Sequence, residues 1–182
     1  GFRNTASGSS SVAMGNYNYA TGDSTISLGK ESWAEGASSI AIGYKSHAAG
    51  GGSVALGQEN VSWGTTNFTV GYQNTAGDTN SAVGSGGSAV AMGKYNTASA
   101  DASMALNRAT TASNQAATSM GYATTADNVG MLAIGVNNAA GIGNTVSGGT
   151  AGAYYNTTYN GGPPEALGLP SGDIGVAFVI GN

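Results

Sequence analysis

The chain predicts an all-β fold, a parallel β-solenoid of short stacked coils, and three observations carry that prediction. A motif recurs every fourteen residues. Within each unit the apolar residues stand two apart, which places them on one face of a β-strand. Glycine or asparagine occupies the same position of every full unit, which opposes a helix.

Repeats decide the architecture, so the period comes first. It begins at Ser11-Val12-Ala13-Met14-Gly15 and returns as Thr25-Ile26-Ser27-Leu28-Gly29, then from Ser39, Ser53 and Asn67. A short unit over 81–88 breaks the register. The array resumes at Ala89, with further starts at Ser103, Ala117 and Met131, and fades at Thr145. Gly1, Ala6 and Gly8 fall in register too, so a piece of a longer array is expected. The repeat domain is placed at 1–149 and a non-repeat segment at 150–182.

Number each unit from its Ser or equivalent. Positions 2 and 4 are apolar almost throughout, as in Val12/Met14, Ile40/Ile42 and Leu132/Ile134, with Thr118 the exception. Position 3 is only Ala, Ser or Thr: Ala13, Ser27, Ala41, Ala55, Thr69, Ala91, Ala105, Ser119 and Ala133. The expectation is that positions 2, 4 and 10 fill the coil. Position 3, on the opposite face of the strand, is then covered by other chains, because a solvated face would accept Lys or Glu. The alternative is that small residues there only keep the turns tight. Two aliphatic side chains and an Ala form a thin core against the entropy of ordering fourteen residues, which favours self-association.

Position 5 is Gly in every full unit but one, where Asn107 stands, so a left-handed residue ending the strand is expected there. Position 8 is always Asn, Ser or Thr and position 10 almost always Ala; both are expected to point inward, with position 8 satisfying backbone groups at the corner. Two short strands and two tight turns fit fourteen residues. Coils stacked at the ~4.8 Å strand spacing would then span roughly 50 Å.

With 8 and 10 inward, positions 7, 9 and 11 point out. Column 7 starts Tyr17, Glu31, Lys45, Glu59, a ladder of alternating charge that avoids like-charge stacking. Column 9 starts Tyr19, Trp33, His47, and column 11 holds Trp63. These residues are candidates for a ridge that docks a protein or glycan; the plainer reading is bulky side chains shielding backbone. Column 9 later becomes Thr97, Thr111 and Thr125, a short row of the kind an ice-binding solenoid extends over a whole face. In the tail, Tyr154, Tyr155 and Tyr159 precede a Gly-Gly-Pro-Pro turn, and the segment is expected to cap the solenoid edge or to form a receptor-binding tip.

The units Ser11-Val-Ala-Met-Gly15, Ser39-Ile-Ala-Ile-Gly43 and Ser53-Val-Ala-Leu-Gly57, followed by Ala20-Thr-Gly22, Ala34-Glu-Gly36 and Ala48-Ala-Gly50, resemble the head repeats of trimeric autotransporter adhesins, the YadA-like head. The resemblance covers residues 1 to about 149. It implies a left-handed parallel β-roll assembled as a homotrimer on the bacterial outer-membrane surface, a virulence-type adhesive fibre attaching to host cells, matrix proteins, glycans or other bacteria. A neck, a heptad stalk and a membrane anchor, which follow such heads, are not recognisable here. A trimeric phage tail-fibre segment is therefore the alternative, and an ice-binding solenoid the second.

Composition narrows the chemistry. There are 32 Gly among 182 residues, no Cys, one His, and a net charge of -4 with only 8% charged residues. Nothing provides the basic stripe that neutralises phosphates, so nucleic acid is not an expected partner. No apolar run approaches the ~20 residues of a membrane helix. A disulfide framework and Cys or His-cluster metal sites are excluded. His47 lies in an outward column and the carboxylates are scattered, so no catalytic constellation assembles; no enzyme activity, metal or cofactor is expected. Sequons at Asn60, Asn67 and Asn156 arise by chance as readily as by design.

Overall fold

The structure, a computed structural model, describes residues 1–78, 87–137 and 145–146. Among the described residues each fourteen-residue unit forms one coil, with a long strand at positions 2–6 and, wherever positions 9–10 are described, a short one there. The long sheet stacks Val12–Asn16, Ile26–Lys30, Ile40–Tyr44, Val54–Gln58, Phe68–Tyr72, Val90–Lys94, Met104–Arg108, Thr118–Tyr122 and Leu132–Val136. The short sheet stacks Thr5–Ala6, Tyr19–Ala20, Trp33–Ala34, His47–Ala48, Val61–Ser62, Thr75–Ala76, Thr97–Ala98, Thr111–Ala112 and Thr125–Ala126. All of these pairings are parallel, and every position meets its equivalent one coil on: Val12 opposite Ile26, Tyr19 opposite Trp33. The expected all-β parallel solenoid is what the described residues form.

The interruption after Asn67 does not shift the register. Phe68 pairs with Val90 and Thr75 with Thr97, so the coils on either side of the interruption stack in the same register. Thr145 begins no further parallel coil. Thr145–Val146 runs antiparallel along Leu132–Val136, with Val146 opposite Leu132, and so covers part of the last long strand's edge.

Which face lies inside differs from the expectation. Position 3 is interior: Ser27, Ala41, Ala55, Thr69, Ala91, Ala105, Ser119 and Ala133 are all fully buried within the single chain, and Ala13 is half-buried in the first long strand. Positions 1, 8 and 10 join them, as Thr25, Ser39, Asn60, Asn74, Ala34 and Ala98 show. The position-3 residues are therefore no surface for another chain. The reason is width. Two sheets joined by such tight corners leave little room between them: apart from Met131, every side chain fully buried among the described residues is that of Ala, Ser, Thr or Asn. Positions 2 and 4 turn outward on the long sheet, leaving Met14 62% and Ile42 36% exposed.

Buried polar groups are costly unless hydrogen-bonded, and position 8 supplies most of the bonds, although the position-1 groups Ser39 Oγ, Ser53 Oγ and Asn67 Nδ2 have no partner. Asn74 donates from Nδ2 to the Val70 carbonyl at 3.0 Å, to the Gly93 carbonyl at 2.9 Å and to Asn60 Oδ1 at 2.9 Å. Ser32 and Ser46 make a reduced version, donating to the Gly43 and Gly57 carbonyls at 3.1 Å each. Hydroxyls pair across the interior as well, Ser62 with Thr69 at 2.9 Å and Ser119 with Thr124 at 2.7 Å.

Position 5 has positive φ as expected, but it lies within the long strand, one residue before its end. Gly43 sits at φ 128° and Gly93 at 117°, and Asn107 follows at 93°. A Cβ on Gly43 would overlap the Gly57 carbonyl oxygen of the next coil, so space as well as backbone conformation demands glycine. The left-handed corners are instead at positions 7 and 14. Glu31 at 56°, Lys45 at 53° and Ser38 at 58° occupy the αL basin, which the stacked backbone bonds of adjacent coils hold in place.

Candidate functional site

The outer face of the short sheet carries the most concentrated chemistry among the described residues. Tyr19, Trp33 and His47 sit at equivalent positions of successive coils because the parallel register stacks position 9 upon itself. In the fourth coil position 9 is Val61, and Trp63, two residues on, takes up the stack. Ring centroids follow one another at 5.4 Å (Tyr19 to Trp33), 5.7 Å (Trp33 to His47) and 5.1 Å (His47 to Trp63). All three contacts are edge-to-face, with planes at 70–71°, the arrangement that places a ring's positive edge on its neighbour's negative face. Trp33 is 43% exposed and the others are half-buried.

Charged groups border the ladder. Glu35 brings Oε2 to 3.1 Å from His47 Nε2, within ion-pair range though short of good hydrogen-bond geometry. In column 7, Lys45 Nζ stands 3.7 Å from Glu31 Oε2, and Lys30 lies 3.6 Å from Glu31 Oε1. Glu59 receives a hydrogen bond from Gln73 one coil on. The alternating column thus pairs in part as expected. A hydrogen bond with Tyr44, followed by the charge on Tyr44 and on Glu31, holds the Lys45 ammonium above its usual pKa. An open groove of about 620 Å³ runs beside the rings, lined by Tyr17, Tyr19, Trp33, His47, Glu31 and Lys45 among others. Tyr17 also meets Phe2 edge-to-face at 5.5 Å.

The structure thus brings Tyr17, Tyr19, Trp33, His47 and Trp63 to one face, and Trp63 joins a stack that its own column did not indicate. Tyr154, Tyr155 and Tyr159 lie outside the described residues. Asn60 and Asn67 are buried, so neither sequon is open to glycosylation in the folded chain. Among the described residues no group of three or more His, Asp or Glu is arranged to hold a metal ion.

One feature was not anticipated. Position 6 shares the parity of 2 and 4 and adds cation–π contacts at the border of the apolar face. Lys30 lies 5.4 Å from the Tyr44 ring centre, Lys94 5.2 Å from Tyr72, and Arg108 5.2 Å from Tyr122. Tyr72 also contacts Tyr95 at 5.3 Å, and the hydrogen bond between them raises the Tyr72 phenol above its ordinary pKa. The strand period held the signal: reading column 6 down the repeats gives Asn16, Lys30, Tyr44, Gln58, Tyr72, Lys94, Arg108, Tyr122 and Val136, rich in cations and tyrosines.

The YadA head domain repeat matches this chain over residues 6–32, 34–60 and 85–106. These stretches cover most of the first four coils and resume on the far side of the interruption. No curated protein matches the chain.

Proposed function

Starting from a solenoid built of YadA head repeats, we propose that the chain is a non-enzymatic adhesin module that works as a homotrimer on a bacterial surface. The observation that carries this reading is the outward apolar stripe of positions 2 and 4. It runs along the whole long sheet, from Val12 and Met14 through Ile42 and Met92 to Met120, with side chains exposed in the single chain. A continuous apolar face of that length marks an interaction surface. Its repetition at identical height on every copy suits three parallel chains packed around one axis. The left-handed winding of the roll belongs to the same reading.

This arrangement puts the long sheets inside the assembly and the short sheets outside. Burial of the stripe supplies the apolar core that the narrow Ala and Ser interior of each coil lacks. The cation–π pairs of position 6 lie at the rim. Tyr19, Trp33, His47 and Trp63 then face outward as the attachment surface. The antiparallel pairing of Thr145–Val146 supports a capping role for the segment that follows.

Light scattering after size exclusion tests the assembly, with three times 17.7 kDa expected. Ile42→Glu is expected to give monomers or misassembled chains, since it places a carboxylate in each of three contacting stripes. A native chain of single mass overturns the trimer. Attachment of the trimer to host cells or matrix-coated surfaces tests the adhesin itself.

A further inference from the structure

The groove beside the aromatic ladder has the dimensions and chemistry of a small-ligand site. We propose that it binds a linear, uncharged glycan, with successive sugar units laid along Tyr19, Trp33, His47 and Trp63. The proposal rests on the adhesin reading above and names the ligand class of that surface.

Size is the first argument. The ladder spans three coil steps, roughly 14 Å at the ~4.8 Å strand spacing, and is one side chain wide. A stable protein partner covers about 800 Å² on each side, far more than such a strip offers. The groove's volume of about 620 Å³ falls within the range of small-molecule sites.

Chemistry is the second. A pyranose has an apolar C–H face and a rim of hydroxyls. Here an exposed indole, Trp33, lines the groove together with Glu31 and Lys45, and an adjoining hollow together with Glu35, whose Oε2 lies 3.1 Å from His47 Nε2. Carboxylates accept from hydroxyls more strongly than neutral groups do. A proline-rich segment also suits aromatic grooves, but proline offers no N–H to add to the pairs those carboxylates already make, whereas each sugar unit brings several hydroxyl donors.

Charge and repetition complete the argument. Lys30 and Lys45 are opposed by Glu31, Glu35 and Glu59, so the strip has no surplus of positive charge for a sulfated or sialylated polymer. Rings succeed each other at 5.1–5.7 Å, so the surface repeats along one line. A ligand that also repeats along a line engages several rings at once.

The test uses the full chain. Trp33 and Trp63 are the two tryptophans of the sequence, so fluorescence excited at the red edge, where tyrosine does not absorb, reports on this ladder alone. Titration with neutral β-linked tetrasaccharides of glucose, N-acetylglucosamine and galactose is expected to give a saturable emission change with at least one of them. Calorimetry is expected to show at least tenfold weaker binding for Trp33→Ala, partial recovery for Trp33→Phe, and unchanged binding for Thr111→Ala on the same sheet, with melting temperatures alike. A heparin-derived tetrasaccharide and a proline-rich peptide serve as competitors. No binding of any neutral tetrasaccharide, equal binding by Trp33→Ala, or preference for either competitor overturns the proposal. Should glycans fail while Trp33-dependent attachment to protein-coated surfaces persists, the ligand class falls and the adhesin reading stands. Should glycans bind a chain that attaches to no cell or matrix, the adhesin reading falls and the site stands.

Discussion

Asn96 donates both its backbone N–H and its side-chain Nδ2 to Asn74 Oδ1, each at 3.0 Å, although the two residues are 22 apart in the chain. Elsewhere the same bond links residues 14 apart, as between Asn74 and Asn60. The asparagine ladder therefore passes the interruption as though it were not there. A buried side chain with every polar atom occupied is costly to alter, because its partners are left unsatisfied.

Asn74→Ala is accordingly expected to destabilise the coil by on the order of 3 kcal/mol, given a penalty of about 1–3 kcal/mol for each buried group left without a partner. Asn74→Ser is expected to cost about half as much, since Ser32 and Ser46 already perform part of the task at the same position. Chemical denaturation of the two variants measures the difference. Equal losses would show that the amide's extra bonds contribute nothing.

Removal of 79–86 is expected to leave the fold in place. The fifth coil would then have fourteen residues, and the pairing of Thr75 with Thr97 needs no others. Shortening a connection changes closure entropy by less than about 1 kcal/mol, so the melting temperature should move by only a few degrees. A collapse of the β-sheet circular dichroism would assign those residues a structural role.

Asn107 occupies the position that glycine holds in the other full units, at φ 93°. Asn107→Gly is expected to stabilise the chain by about 1 kcal/mol through relief of backbone strain. Asn107→Val should destabilise it by more than that, because a β-branched residue is strongly disfavoured there. Thermal melts of the pair decide; identical midpoints would mean that this backbone conformation is free of strain.

Ala41 and Ile42 separate folding from assembly. Ala41→Glu buries a carboxylate inside the coil and is expected to unfold the chain itself, whereas Ile42→Glu should spare the coil and break the assembly. Circular dichroism with light scattering reads both. A folded monomer from Ala41→Glu would contradict its place in the interior.

The sequence by itself determined the period, the two strands of each coil, the parallel register and the inward course of positions 8 and 10. These follow from spacing, since a strand alternates faces and a repeat stacks like on like. It also marked Tyr19, Trp33 and His47 as a row. Alternation does not say which face is inside, and the usual rule that aliphatic side chains go inward chose the wrong one. Only the tertiary structure decided that, because the gap between the two sheets is a property of the closed coil. Small side chains such as Ala41 fill it, with Met131 the one large exception among the described residues, while Ile42 turns outward. The same holds for Trp63: its column was expected to face outward with the others, but only the structure shows it joining the ring stack beyond His47, because a side chain two residues along can reach past Val61 and reach in space is not written in register.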